Sequence, residues 1–163
     1  MEKDTVDRLI QQWRAERPDL DVSQLGLAIR IEKLAKLMQR DTAKSLSKLR
    51  LKPWEYDVLS ALRRQGEPFE MPATELAKAS LLTSGAMTTR IDQLEVRQLV
   101  SRKPDPDDRR GVRIFLTKQG VALIDKAIGA RLTAAASGTR CLTRKERVST
   151  DAALRKLLIA AEV

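Results

Sequence analysis

Between Leu99 and Thr117 the chain reads Leu-Val-Ser-Arg-Lys-Pro-Asp-Pro-Asp-Asp-Arg-Arg-Gly-Val-Arg-Ile-Phe-Leu-Thr, two strand-like runs around a turn that carries Asp107, Arg109 and Arg110. Guanidinium groups on a tight hairpin can enter a minor groove, where narrow A·T tracts concentrate negative potential. Asp107 stands two residues before Arg109, close enough to brace the turn or hold that guanidinium. Upstream, Thr83-Ser84-Gly85-Ala86-Met87-Thr88-Thr89-Arg90 opens a helix whose outward residues, Ser84, Thr88, Thr89 and Arg90, are short hydroxyls and one long donor. Short side chains let a helix sink into the major groove, and an arginine can then donate to guanine or phosphate. Arg90 and Arg97 are balanced by Asp92 and Glu95, so this helix offers shape and hydrogen bonds, and positive charge has to come from elsewhere. Each pattern also has a plainer reading, as ordinary helix surface and a solvated turn.

The composition narrows the chemistry further. Thirty-one Lys and Arg against 22 Asp and Glu give a formal charge of +9, a balance that suits nucleic acid or another anionic surface. There is no histidine and a single cysteine, Cys141, which excludes a histidine triad, a histidine-ligated metal and a disulfide framework. Cys141, beside Arg140, is either a redox sensor or an incidental thiol. Asp105, Asp107 and Asp108 cluster on a turn with neither a histidine nor a phosphate-binding glycine loop, so an enzyme is not expected. No cofactor and no metal are expected. No apolar run approaches the roughly 20 residues of a membrane span, so the expected location is the cytoplasm with no membrane partner.

The elements that must position these residues are mostly helical. Val6, Leu9, Ile10 and Trp13 fall at helical spacing before Pro18, and Leu27, Ile31, Leu34 and Met38 continue a long second helix from a possible cap at Ser23 to Leu46 and Leu49. Along that helix Arg30, Lys33, Lys36, Arg40, Lys44, Lys48, Arg50 and Lys52 face only Glu32 and Asp41, either a solvated face or a stripe flanking DNA. Pro53 begins a third helix through Leu62, Pro72 a fourth through Ser80, and a fifth runs from Thr83 to about Gln98 with Met87, Ile91 and Leu94 inward. Val112, Ile114 and Leu116 alternate with Arg113, Phe115 and Thr117 as a half-buried strand. Thr117 caps a sixth helix ended by Gly138, and Thr143 to Glu146 form a capping box for a seventh bearing Leu154, Leu157 and Leu158. The fold class expected is mostly α with a small β-wing, a winged helix-turn-helix. Residues 49–117 would form the DNA-binding domain, flanked by dimerisation helices in 1–48 and 118–163. The terminal helices have apolar faces with little core of their own to cover, which calls for a second copy and a homodimer.

Four stretches, Glu75-Leu76-Ala77, Thr83 through Glu95, Asp105-Pro106-Asp107-Asp108-Arg109-Arg110-Gly111 and Leu116-Thr117-Lys118-Gln119-Gly120, closely resemble the MarR family of bacterial transcriptional regulators, and the likeness extends over nearly the whole chain. It implies a winged-helix homodimer joined through its N- and C-terminal helices, with the Asp107-x-Arg109 pair shaping the wing. Met71 departs from the polar cap the family usually places before Pro72, and Cys141 does not match the N-terminal cysteine of the family's peroxide sensors. Trp13, within Trp-x-x-x-Arg-Pro-Asp-Leu-Asp, and Asp57, Arg64 and Arg102 resemble the urate-responsive subgroup. An anionic purine wants an aromatic face and a guanidinium, and it would repel a nearby aspartate, whose displacement can shift the recognition helix. Alternatively Trp13 is a dimer-core aromatic, Asp57 and Arg64 are a structural pair, and Arg102 touches phosphate. The resemblance implies a regulator, a repressor, that binds a pseudo-palindromic operator in double-stranded DNA and is released by a small anionic aromatic effector, urate being a candidate. The alternative is an effector-independent architectural DNA-binding protein.

Overall fold

A computed structural model describes residues 2–80, 82–106, 108 and 111–162. Among them the chain runs through helices α1 (Thr5–Glu16), α2 (Leu25–Ser47) and α3 (Pro53–Arg63), strand β1 (Glu70–Pro72), helices α4 (Ala73–Ala79) and α5 (Ser84–Val96), strands β2 (Val100–Pro104) and β3 (Val112–Leu116), and helices α6 (Lys118–Gly138) and α7 (Arg144–Ala161). It is a mostly helical fold with a small β-wing, and its backbone divides into two units, Met1–Asp41 and Thr42–Val163.

In the first unit Asp4 accepts the Val6 and Asp7 N–H groups while the Asp7 carboxylate accepts the Asp4 N–H, a reciprocal cap that starts α1. Arg30 reaches both carboxylates, at 2.8 Å and 2.7 Å, and its guanidinium holds the Asp4 carboxyl well below the usual carboxylate range. Val6, Ile10 and Val22 form a small buried cluster there. The second helix starts two residues past Ser23, whose own N–H is taken by the Asp21 carboxylate.

The second unit holds the main core, in which Leu46, Leu59, Leu62, Leu76, Leu94, Ile114 and Ile124 are fully buried. As the spacing predicts, Met87, Ile91 and Leu94 point inward from α5. The chain leaves α2 and α5 in the same way. Arg50 and Gln98 adopt left-handed φ values of 52° and 57°, and Leu51 and Leu99 donate back to the carbonyls of Leu46 and Leu94. Antiparallel β2 and β3 form the wing hairpin, and β1 adds to the other side of β3, with Pro72 opposite Arg113. Pro72 therefore closes an edge strand, where its missing N–H costs nothing, and Met71 is a strand residue; the fourth helix begins at Ala73. Gly120 lets α6 approach this hairpin, because a Cβ there would stand 2.0 Å from the Leu99 carbonyl oxygen. The expected capping box of α7 is present, at Thr143 and Glu146.

Candidate nucleic-acid interface

Thr83 caps α5 by accepting the Ala86 N–H, leaving the first turn of the helix without an acidic residue. An N-terminus of this kind, with its partial positive charge, suits a phosphate. Ser84, Thr88 and Thr89 are all exposed on α5, and Arg90 is half-buried. The Thr88 and Thr89 hydroxyls donate to the carbonyls of Ser84 and Gly85, so each presents oxygen lone pairs and a methyl group to the outside. A methyl is what thymine's own methyl group packs against.

The wing is braced at its base. Arg113 on β3 pairs with Asp105 at 3.2 Å and with Glu70 of β1 at 3.0 Å, while the Asp105 N–H donates to the Gly111 carbonyl. Gly111 fits because a Cβ there would lie 2.9 Å from that of Asp105. Asp107, Arg109 and Arg110, the wing residues singled out in the sequence, lie outside the described residues.

Arg102 ties the wing to α5. From β2 it donates to the Asp92 carboxylate and to the Thr88 carbonyl at 3.3 Å, and its Nε forms an ion pair with Glu95 at 3.3 Å. Positions 88, 92 and 95 fall on one stripe of the helix, so one guanidinium spans two turns. Arg97, at the end of α5, pairs with buried Glu55 at 2.7 Å and donates to the Arg50 carbonyl at 3.0 Å. Glu55 also accepts the Lys52 N–H that opens α3.

On its other flank α5 meets a cleft of roughly 610 Å³ walled by α3, α4, α5 and α6. Of the four ligand candidates from the sequence, the cleft brings together Asp57 and Arg64, adding Arg90, Arg131, Tyr56 and Ser60. Arg102 is not in its lining, and Trp13 belongs to the first unit, where it is 45% exposed on α1. Arg64 donates to Ser60 Oγ at 2.9 Å, and Arg90 lies over the Trp54 ring, 5.3 Å from its centroid. Burial pushes the Asp57 carboxyl up from its ordinary value, against the pull of Arg90, Arg131 and Arg64. The sequence reading overlooked Arg131, although there was a signal: it follows buried Ile124 and Ala127 at +7 and +4, an inward position on α6 for a charged residue. Among the described residues no group of three His, Cys, Asp or Glu could hold a metal, and no helix is long and apolar enough to cross a membrane. Cys141 is exposed.

Residues 51–112 match the model of the MarR family. Over 123 residues the chain is 37% identical to the HTH-type transcriptional regulator PecS of Dickeya dadantii (strain 3937), covering 76% of this chain and 74% of PecS. Among solved structures, a mutant MarR from E. coli in complex with operator DNA superposes with a TM-score of 0.70 at 25% identity, over 90% of this chain and 97% of that one. Bordetella bronchiseptica BpsR, described by the regulation of its DNA binding by 6-hydroxynicotinic acid, superposes with a TM-score of 0.67 at 27% identity, over 83% and 98%.

Proposed function

Since the chain belongs to the MarR family of transcriptional regulators, we propose that it is a repressor that grips a pseudo-palindromic operator as a homodimer and is released when a small anionic aromatic ligand enters the cleft beside α5. The observation that carries this reading is the double placement of Arg90, which stands on the recognition helix and also lines the cleft. An anion drawn to Arg90, Arg64 and Arg131 acts on a group that the DNA uses as well, which gives the ligand different interaction energies in the bound and free states. Operator DNA bound by MarR of E. coli and the aromatic acid named for BpsR are chemically in keeping with it. Urate, an aromatic anion, is the first compound to try.

In this reading Ser84, Thr88, Thr89 and Arg90 enter the major groove, and Arg109 and Arg110, shaped by Asp107, reach the flanking groove. Residues 49–117 carry DNA binding, and 1–48 with 118–163 carry dimerisation. The exposed Leu27, Leu34 and Met38 of α2, Leu132 of α6, and Leu154, Leu157 and Leu158 of α7 are apolar surface for a second copy to cover. Asp57 and Arg64 keep a ligand role, whereas Arg102 becomes a positioning residue that holds β2 against α5.

Footprinting on the DNA that flanks its own gene tests the whole reading. Expected is one protected pseudo-palindrome with half-sites about 10 base pairs apart, lost when ligand is added. With Arg90→Ala, discrimination against the wrong base should fall by about 1–3 kcal/mol at one position of each half-site. Sequence-tolerant coating of DNA, indifferent to any ligand, would overturn the regulator in favour of an architectural protein.

A further inference from the structure

The ionisable lining of the cleft is unbalanced: Arg64, Arg90 and Arg131 face a single carboxylate, Asp57. With Asp57 ionised the formal excess is two positive charges, and a monoanion neutralises only half of it. We propose that the cleft is built for a dianion, an aromatic dicarboxylate or a phosphate monoester, and that Arg131 is the second anchor that sets this preference. The proposal rests on the reading of the cleft as the effector site.

Availability separates Arg131 from its neighbours. Elsewhere in the same unit Arg63, Arg97, Arg102 and Arg113 each pair with a carboxylate. Among the described residues Arg64 donates its one side-chain hydrogen bond to the neutral Ser60 hydroxyl, and Arg90 rests on the face of Trp54. Arg131 is half-buried and makes no hydrogen bond or ion pair among the described residues; the opposing charge it feels is that of Asp57. A guanidinium held partly out of water without a carboxylate is a costly arrangement that an incoming anion relieves, and its fork matches carboxylate and phosphate oxygens in pairs. Arg131 also comes from α6, while Arg64 lies at the end of α3 and Arg90 on α5, so the three guanidiniums approach from separate elements. A dianion can then engage different arginines at once and neutralise both excess charges, whereas a single carboxylate bridging two guanidiniums neutralises only one. A volume of roughly 610 Å³ suits a ligand of that size.

Calorimetric titration of the full chain at pH 7.5 with benzoate and urate as monoanions and with phthalate and phenyl phosphate as dianions tests the assignment. Dianions should bind at least tenfold more tightly than monoanions. Arg131→Gln should erase that margin by weakening dianions far more than monoanions, and Arg131→Lys should restore part of it. Ligand-free operator affinity and the urea midpoint should stay as in the wild type, which separates a ligand contact from a folding defect. A margin for phthalate alone assigns the dicarboxylate, and one for phenyl phosphate alone the phosphate ester; either supports the dianion. Equal binding of both classes, or an equal loss of both in Arg131→Gln, overturns the charge preference and leaves the effector cleft standing. Failure of all four probes at millimolar concentration overturns the cleft itself.

Discussion

On one flank of α5, Arg102 from β2 spans Asp92, Glu95 and the Thr88 carbonyl; on the other, Arg90 shares a cleft with Arg64 and Arg131 and a single carboxylate. The first flank is saturated, with wing and recognition helix joined by groups that already satisfy one another. At the helix end, Arg97 and Glu55 extend the same arrangement to the α2–α3 junction. An added anion has nothing to gain there. The second flank has donors in excess, so an anion changes its free energy and α5 feels the change through Arg90. The helix is thus fixed to the wing on one side and open to an anion on the other, so under the proposed function a ligand would move helix and wing as one piece.

The paired flank can be broken in two places, with effects of different kind. Glu55 is 3% exposed, so Glu55→Ala removes a buried carboxylate from Arg97 and from the Lys52 N–H and should lower stability by about 2–3 kcal/mol in urea unfolding. A loss below about 0.5 kcal/mol would mean that the junction is held by packing alone. Arg102→Ala should do less to stability, under about 1 kcal/mol, because its pairs are partly solvated. Its effect should appear in operator affinity, about tenfold weaker in gel-shift titration, or about 1.4 kcal/mol, with anion affinity unchanged. Loss of anion binding with operator affinity intact would put Arg102 back among the ligand contacts and dissolve the contrast between the flanks.

Much of this was legible in the sequence because it rests on local rules. Caps at Thr117 and Thr143, the start of α5 by Thr83, the inward stripe of Met87, Ile91 and Leu94, and the alternation ending in buried Ile114 and Leu116 all depend on neighbours a few residues away. What was not legible depends on who sits opposite. Strand β1 is three residues ending in proline and exists only because β3 is there to pair with it. Arg102 has a spacing that suits a ligand, yet its partners are fixed by the docking of β2 on α5, which no spacing records. Arg131 was passed over, although its place four residues after buried Ala127 and seven after buried Ile124 on α6 was a readable sign.

Asp57 sharpens the unpaired flank with the smallest effect. Burial outweighs Arg90, Arg131 and Arg64, so in the folded chain this carboxyl keeps its proton more tightly than in the unfolded one. A raised folded value favours folding below the ordinary carboxylate value of about 3.9, and that contribution is lost as pH rises through the raised titration. Near neutral pH the ionised group therefore brings no net stability, and Asp57→Asn should leave the urea midpoint unchanged or slightly higher. Ligand binding is the more telling readout, because ionised Asp57 competes with an added anion for the same guanidiniums. Benzene-1,3-disulfonate, whose charge is constant over this range, should bind more tightly as pH falls through the Asp57 titration. The gain should be about three- to tenfold, the scale of one partly screened charge contact of about 0.7–1.4 kcal/mol. Asp57→Asn should show the tighter binding at every pH and a flat profile. Weaker binding in Asp57→Asn would make Asp57 the group that holds the arginines in place, and a flat profile in the wild type would remove it from the cleft's electrostatics.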